Sequence, residues 1–188
     1  IPGLRLAAPR DEDTLRGQLR EALDVGDAPT VLRYRKGALP EPMPALCSVG
    51  GVDVLLDEAC PSSPAKVLIV GTGACAPDAI EAGGRLAADG ISVTVVDPRW
   101  LIPISSGLVD MAADYDAVIT VEDGIVHGGF GWALRDALAE SVIPVRCLGV
   151  PQGFPEHGER SRMIADFGYD ADGIEATARG LVNTVAAR

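Results

Sequence analysis

Beyond Lys66, runs of aliphatic residues alternate with amphipathic segments. Val67 to Val70 is one run, and it stops at Gly71 and Gly73; Pro77 and Asp78 then open a segment whose apolar positions, Ala79, Ile80, Gly83, Leu86 and Ala87, fall on one helical face. Gly90 stands where a helix C-cap belongs, and Ile91 to Val96 is a second run of strand formers, closed by Asp97 and Pro98. A strand, helix and strand in this order require parallel strands and a right-handed crossover. The pattern continues with a helix capped by Ser105 or Ser106 through Asp114, and a third parallel strand over Ala117–Val121. A helix follows from about Gly131, with Phe130, Ala133, Leu134, Ala137 and Leu138 on one face, and then a fourth strand over Pro144–Val150. Pro151 to Gly158 reads as a loop and Glu159 to Phe167 as a short helix. Ile174, Ala178, Leu181, Val182 and Val185 form the stripe of a last helix. The expected fold class is α/β, an open and mostly parallel sheet with helices on both faces.

The opening of the chain has a different organisation. Gly3–Ala7 is a short strand candidate, and Asp11, Glu12 and Asp13 place negative charge at a helix start. Leu15, Leu19, Ala22 and Leu23 give that helix an apolar face, and Pro29–Tyr34 is the strand after it. A strand, helix and strand of about 37 residues cannot close a core alone, so residues 1–37 read as the tail of a domain that begins elsewhere. Residues 38–64 carry Pro40, Pro42, Pro44, Pro61 and Pro64 and read as a linker, with Val49 to Leu56 as an edge strand within it. Residues 65–188 form the second domain.

Charge narrows the function classes. The net charge is -11, with 16 Lys and Arg scattered among 27 acids, so no basic patch is offered to a nucleic-acid backbone or an anionic membrane. No apolar run has the length of a membrane span, and a soluble protein is expected. The four cysteines, Cys47, Cys60, Cys75 and Cys147, form no C-x-x-C pair and read as reduced thiols.

Several residues carry candidate chemistry. Gly71, Gly73 and Ala76 match the G-x-G-x-x-A turn of dinucleotide sites, with Asp97 at the end of the next strand in place of a ribose-binding acid. The same small residues serve any tight strand-to-helix turn, so a nucleotide-binding module is one reading and a packing turn the other. Glu122 and Asp123 end the third strand on the side where open α/β sheets bind ligands, yet adjacent strand residues face opposite ways and make poor partners for one ion. His127 precedes Gly128 and Gly129 at a helix entrance, His157 lies in a loop, and Cys75 sits in the glycine turn; each has a plain structural reading as well. Arg33 and Arg35 share one face of the predicted strand and Lys36 follows, a compact positive cluster in an acidic chain that suits either an anionic substrate group or solvent.

In combination, several stretches carry a resemblance: APRDEDTLRGQLREAL, VLRYRKG, VLIVGTGACAPDAIEAGGRLAADGISVTVVDPRWLIP, VITVEDGIVHGGFGWAL and LGVPQGFPEHGERS. Together they resemble the 1-deoxy-D-xylulose-5-phosphate synthases of the transketolase family, and the actinobacterial forms most closely. The resemblance implies that residues 1–37 end a pyrimidine-binding α/β domain and that 65–188 are a transketolase C-terminal-like domain that supports a homodimer. It implies a cytoplasmic transferase of isoprenoid precursor synthesis that joins pyruvate to glyceraldehyde 3-phosphate with loss of carbon dioxide. The resemblance further implies thiamine diphosphate as electron sink, with magnesium, both held by segments absent from this chain, so no catalytic, cofactor or metal residue is expected here. Arg33 matches the family arginine that binds the acceptor's phosphate, with Lys36 as a helper. Where the family commonly has proline before the second basic residue, this chain has Arg35, which leaves room for a split transketolase-like enzyme with another acceptor.

Overall fold

The computed structural model describes residues 1–38 and 40–187; Leu39, inside the expected linker, and the terminal Arg188 lie outside them. The strands, in chain order, are β1 Arg5–Ala7, β2 Thr30–Leu32, β3 Cys47–Val49, β4 Val52–Glu58, β5 Lys66–Gly71, β6 Ser92–Asp97, β7 Trp100–Ile102, β8 Ala117–Ile125 and β9 Val145–Val150. The helices are α1 Glu12–Leu23, α2 Ala76–Ala88, α3 Ser106–Ala112, α4 Phe130–Ala137, α5 Arg160–Asp166 and α6 Ala171–Ala186.

The larger sheet runs β3-β4-β6-β5-β8-β9. Its four strands β6, β5, β8 and β9 are parallel, as expected for strands joined by helical crossovers. Along β5, Val67 and Ile69 enter the core beneath α2 and α6, while Leu68 and Val70 enter the core beneath α3 and α4. A strand buried on both faces has no polar side to show, which is why its sequence reads as an unbroken aliphatic run. The helices do alternate: Ala79, Ala82 and Leu86 of α2, and Ile174, Ala178 and Leu181 of α6, are buried in the first core.

Within the proline-rich stretch the expected edge strand is a hairpin. Cys47, Ser48 and Val49 pair antiparallel with Val54, Asp53 and Val52, and β4 lies inside the sheet against β6. Gly50 and Gly51 turn between the two strands with φ of 58° and 83°, a region glycine enters without steric cost.

The smaller sheet is β2-β1-β7. β1 and β2 are parallel across α1, and β7 joins β1 from the far side, antiparallel. The sequence offered no strand at β7, because three residues between Pro98 and Pro103 are too short to display a period. The face of α1 also differs from the expected one. Its buried positions are Thr14, Gln18 and Ala22, while Leu19 is 50% and Leu23 78% exposed. The helix turns toward polar partners: Asp11 and Thr14 form a reciprocal capping box, and Gln18 donates Nε2 to the carbonyl of Arg99 at 2.9 Å.

Candidate anion site at the carboxyl end of the sheet

The seam between the two sheets is built on charge. Arg10, buried between them, donates Nη1 to Asp53 Oδ2 at 2.7 Å and to Asp97 Oδ2 at 2.9 Å, and its Nε to the Met43 carbonyl at 2.9 Å. Asp97 also accepts from the Arg99 amide, and the Trp100 indole and Arg99 both reach Glu21 of α1. Burial pushes the Asp97 carboxyl up to about 6, against the pull of its bonds to Arg10 and the Arg99 amide.

This disposes of the nucleotide-binding reading of Gly71, Gly73 and Asp97. Asp97 is fully buried and committed to Arg10, so no carboxylate faces a ribose. The glycines answer to packing instead. A Cβ on Gly71 would lie 2.8 Å from Ala79 Cβ, and one on Gly73, whose φ is +47°, would lie 2.9 Å from the Ala8 carbonyl oxygen. The turn is tight because α2 and the chain just beyond β1 both press against it.

The carboxyl ends of β5 and β8 form the point at which strand order reverses, since β6 lies on one side of β5 and β8 on the other. Ligands of open α/β sheets bind at such crevices. Glu122 and Asp123 stand there and face different neighbours, as strand alternation requires. Glu122 is buried and accepts from the Phe130 amide at 3.0 Å and the Gly131 amide at 2.9 Å, capping α4 across nine residues of chain. Burial raises its carboxyl above the ordinary range, and those two amides oppose the rise.

Asp123 turns to cations. Arg33 Nη2 lies 2.6 Å from Asp123 Oδ1 and donates to the Asp123 carbonyl at 2.7 Å. Arg160, the first residue of α5, approaches the other carboxylate oxygen, with Nη2 3.9 Å from Oδ2. Tyr169, buried, lies beside Arg160 and Asp123. Cys75 is buried in the same region, and burial pushes its thiol far above the ordinary value, which keeps it protonated and unreactive.

The expected basic cluster is divided. β2 ends at Leu32, although the Arg33 amide still bonds the Ala7 carbonyl at 2.8 Å, so strand alternation does not extend to Arg35. Arg33 goes to Asp123. Arg35 and Lys36 instead line an open cavity of about 330 Å³ with Tyr34, Arg10, Ala74 and Pro77, and Arg33 is not among its lining residues. His127 packs on Trp132, ring centroids 4.3 Å apart, and Arg135 covers the same indole at 4.3 Å. His157 is exposed in its loop. Sequence reasoning missed Arg10 and Arg160. Asp53 and Asp97 gave the one signal for Arg10, as acids inside strands that needed a partner.

The transketolase C-terminal domain family matches residues 61–174, more than half of the chain. The chain belongs to that family. Relatives of this chain include the 1-deoxy-D-xylulose-5-phosphate synthase of Corynebacterium glutamicum strain R, 47% identical over an alignment of 189 positions that covers 98% of this chain and 30% of that protein. The 1-deoxy-D-xylulose-5-phosphate synthase 2 of Kitasatospora griseola is 47% identical over an alignment of 188 positions that again covers 98% of this chain and 30% of the relative. The chain thus spans about 30% of the length of these curated relatives. Among solved structures, a split-gene transketolase described as an inactive beta4 tetramer is 27% identical with a TM-score of 0.80, over 97% of this chain and 58% of that one. A transketolase of Campylobacter jejuni, 16% identical, shares the fold with a TM-score of 0.68 over 95% of this chain and 26% of its own. The match to the synthases covers 98% of this chain and so extends beyond residues 61–174.

Proposed function

We propose that this chain is the C-terminal part of a 1-deoxy-D-xylulose-5-phosphate synthase, joining pyruvate to glyceraldehyde 3-phosphate with loss of carbon dioxide for isoprenoid precursor synthesis. The observation that carries the reading is the 47% identity over 98% of the chain to a protein of that name. In this reading residues 1–37 close a pyrimidine-binding domain, 38–64 link it to the domain at 65–188, and that domain supports a homodimer in the cytoplasm. Among the described residues no group of three or more His, Cys, Asp or Glu is placed to hold a metal ion, and no described helix is long and apolar enough to cross a membrane. In this reading thiamine diphosphate and magnesium are held by the N-terminal part of the enzyme, where the cofactor supplies the electron sink for decarboxylation.

This chain's contribution is binding. Arg33 presents a planar guanidinium beside the carboxyl ends of the strands, a geometry that suits the phosphate of the acceptor aldehyde. Lys36, on the neighbouring cavity, adds positive field. In the complete enzyme, Arg33→Ala raises KM for glyceraldehyde 3-phosphate by tenfold or more, because a charge-assisted hydrogen bond contributes about 1.5–3 kcal/mol, and leaves KM for pyruvate nearly unchanged. Equal losses for both substrates overturn the assignment.

A second reading is another transketolase-like enzyme divided over two chains, with a different acceptor. The likeness to a split-gene transketolase and the Arg35-Lys36 pair favour it. A panel of phosphorylated and free aldehydes separates the two, since the first reading requires the phosphate.

A further inference from the structure

β8 is irregular near its carboxyl end. Its pairing with β9 runs from Val118 opposite Val145 to Val121 opposite Leu148 and resumes at Ile125 opposite Val150, so Glu122, Asp123 and Gly124 stand against Gly149 alone. Two of their carbonyls close over that glycine: a Cβ on Gly149 would lie 2.7 Å from the Glu122 oxygen and 2.8 Å from the Gly124 oxygen. The Asp123 carbonyl is left out of that packing, and β5, the other neighbour of β8, has already ended at Gly71 opposite Val121. A bulge thus frees one backbone acceptor and re-aims one carboxylate, and both meet Arg33. Its Nη2 donates to the Asp123 carbonyl at 2.7 Å and lies 2.6 Å from Oδ1, whereas its Nε and Nη1 have no hydrogen-bond partner among the described residues. The backbone of Arg33 is fixed separately, through its amide on the Ala7 carbonyl at 2.8 Å.

We propose that Asp123 is the positioning residue for Arg33: the bulge of β8 clamps one guanidinium nitrogen between a carbonyl and a carboxylate, and so keeps Nε and Nη1 aimed at the acceptor substrate. The inference rests on the proposed substrate role of Arg33 and adds the group that holds it. The clamp acts by orientation and not by field. Asp123 and the neighbouring Glu122 both lower the positive potential at Arg33, and Arg160, which bonds Tyr169 and also faces Asp78, stays 3.9 Å from the free carboxylate oxygen. A long side chain held in one geometry has already lost the freedom that binding would otherwise take from it, which raises affinity. Field and orientation therefore predict opposite signs when the carboxylate is removed.

Steady-state kinetics of the complete enzyme separate the two, with both substrates varied, for the parent, Arg33→Ala, Asp123→Asn, Asp123→Ala and the Arg33→Ala/Asp123→Ala double variant. Orientation predicts that Asp123→Ala raises KM for glyceraldehyde 3-phosphate about tenfold and that Asp123→Asn, which keeps an oxygen at the Oδ1 position, raises it about threefold. KM for pyruvate and kcat stay within about twofold of the parent. On the Arg33→Ala background Asp123→Ala adds nothing further. A lowered KM in both variants shows a carboxylate that competes through its charge, and an equal effect with and without Arg33 shows one that acts elsewhere; either overturns the proposal. If Arg33→Ala alone weakens the acceptor, the clamp is wrong and the role of Arg33 stands. If Arg33→Ala weakens both substrates equally or neither, that role falls and the clamp falls with it. Asp123→Asn is nearly isosteric and carries the test where Asp123→Ala fails to fold.

Discussion

Arg10 and Asp97 lie 2.9 Å apart across 87 residues of chain, with Asp53 sharing the same guanidinium nitrogen. One cation thus joins the segment before α1 to two strands of the larger sheet, out of contact with water. Removing the cation leaves two buried carboxylates, and removal of one partner of such a pair costs about 3–5 kcal/mol.

That arrangement fixes a pH dependence. Asp97 titrates at about 6 in the folded protein against an ordinary 3.8, so the folded state takes up its proton first as pH falls. Its contribution to stability is complete below pH 4 and is lost as pH rises through 6, a change of roughly 3 kcal/mol. Arg10, Asp53 and Arg99 are the charged groups facing it. Asp11 and Glu175, whose carboxyls are lowered, act in the opposite sense, so the difference between the parent and Asp97→Asn isolates the effect. Urea unfolding of both proteins from pH 4 to 7 should show the parent losing stability relative to the variant; parallel curves contradict the prediction.

Two adjacent glycines of α2 separate packing from propensity. A Cβ on Gly83 would lie 2.6 Å from Val95 Cγ2 and 2.8 Å from Leu56 Cδ2, whereas one on Gly84 meets nothing within 4 Å. Gly83→Ala is expected to destabilise by about 1–3 kcal/mol through overpacking. Gly84→Ala stabilises by about 0.5–1 kcal/mol through helix propensity and the unfolded chain's lost freedom. Thermal unfolding of the two variants should move the midpoint in opposite directions.

Glu122 tests whether the acid at the end of β8 is structural. Glu122→Gln keeps one acceptor for the α4 amides and sets an NH2 group against the other, a cost of about 1–3 kcal/mol for a buried unpaired donor. Stability should fall while the phosphate affinity proposed for Arg33 changes little. A loss of phosphate binding in a variant of full stability would move Glu122 into the binding site.

Thiol labelling reports the burial of the glycine turn. Cys47 is exposed, and the hydrogen bond with Ser62 lowers the Cys60 thiol, while burial raises that of Cys75. Under native conditions iodoacetamide should label Cys47 and Cys60 and spare Cys75 until urea unfolds the chain. Rapid native labelling at Cys75 would show that the turn opens.

The parallel strands and their helices were legible because burial on two faces leaves an unmistakable aliphatic run, as at Val67 to Val70. α1 was legible as a helix but not in its orientation: Leu15, Leu19 and Leu23 promised an apolar face, and Thr14 and Gln18 were buried by partners 81 residues away or in the cap. Asp97 shows the same limit. Its position after a strand and its spacing from the glycines suit a ribose, and only the arrival of Arg10 from another segment decides otherwise. Arg33 was legible as a cation at a strand end, whereas its partner Asp123, 90 residues on, was not, and Arg160 carried no local signal at all.

β7 has a consequence for how the protein is made. It pairs with β1, so the strand at Arg5–Ala7 has an open edge until Trp100–Ile102 has left the ribosome. At about 5–20 residues per second that delay is several seconds or more, during which the opening segment presents unpaired backbone to other chains. Vectorial synthesis therefore gives the small sheet its risk of misassembly early and its closing strand late.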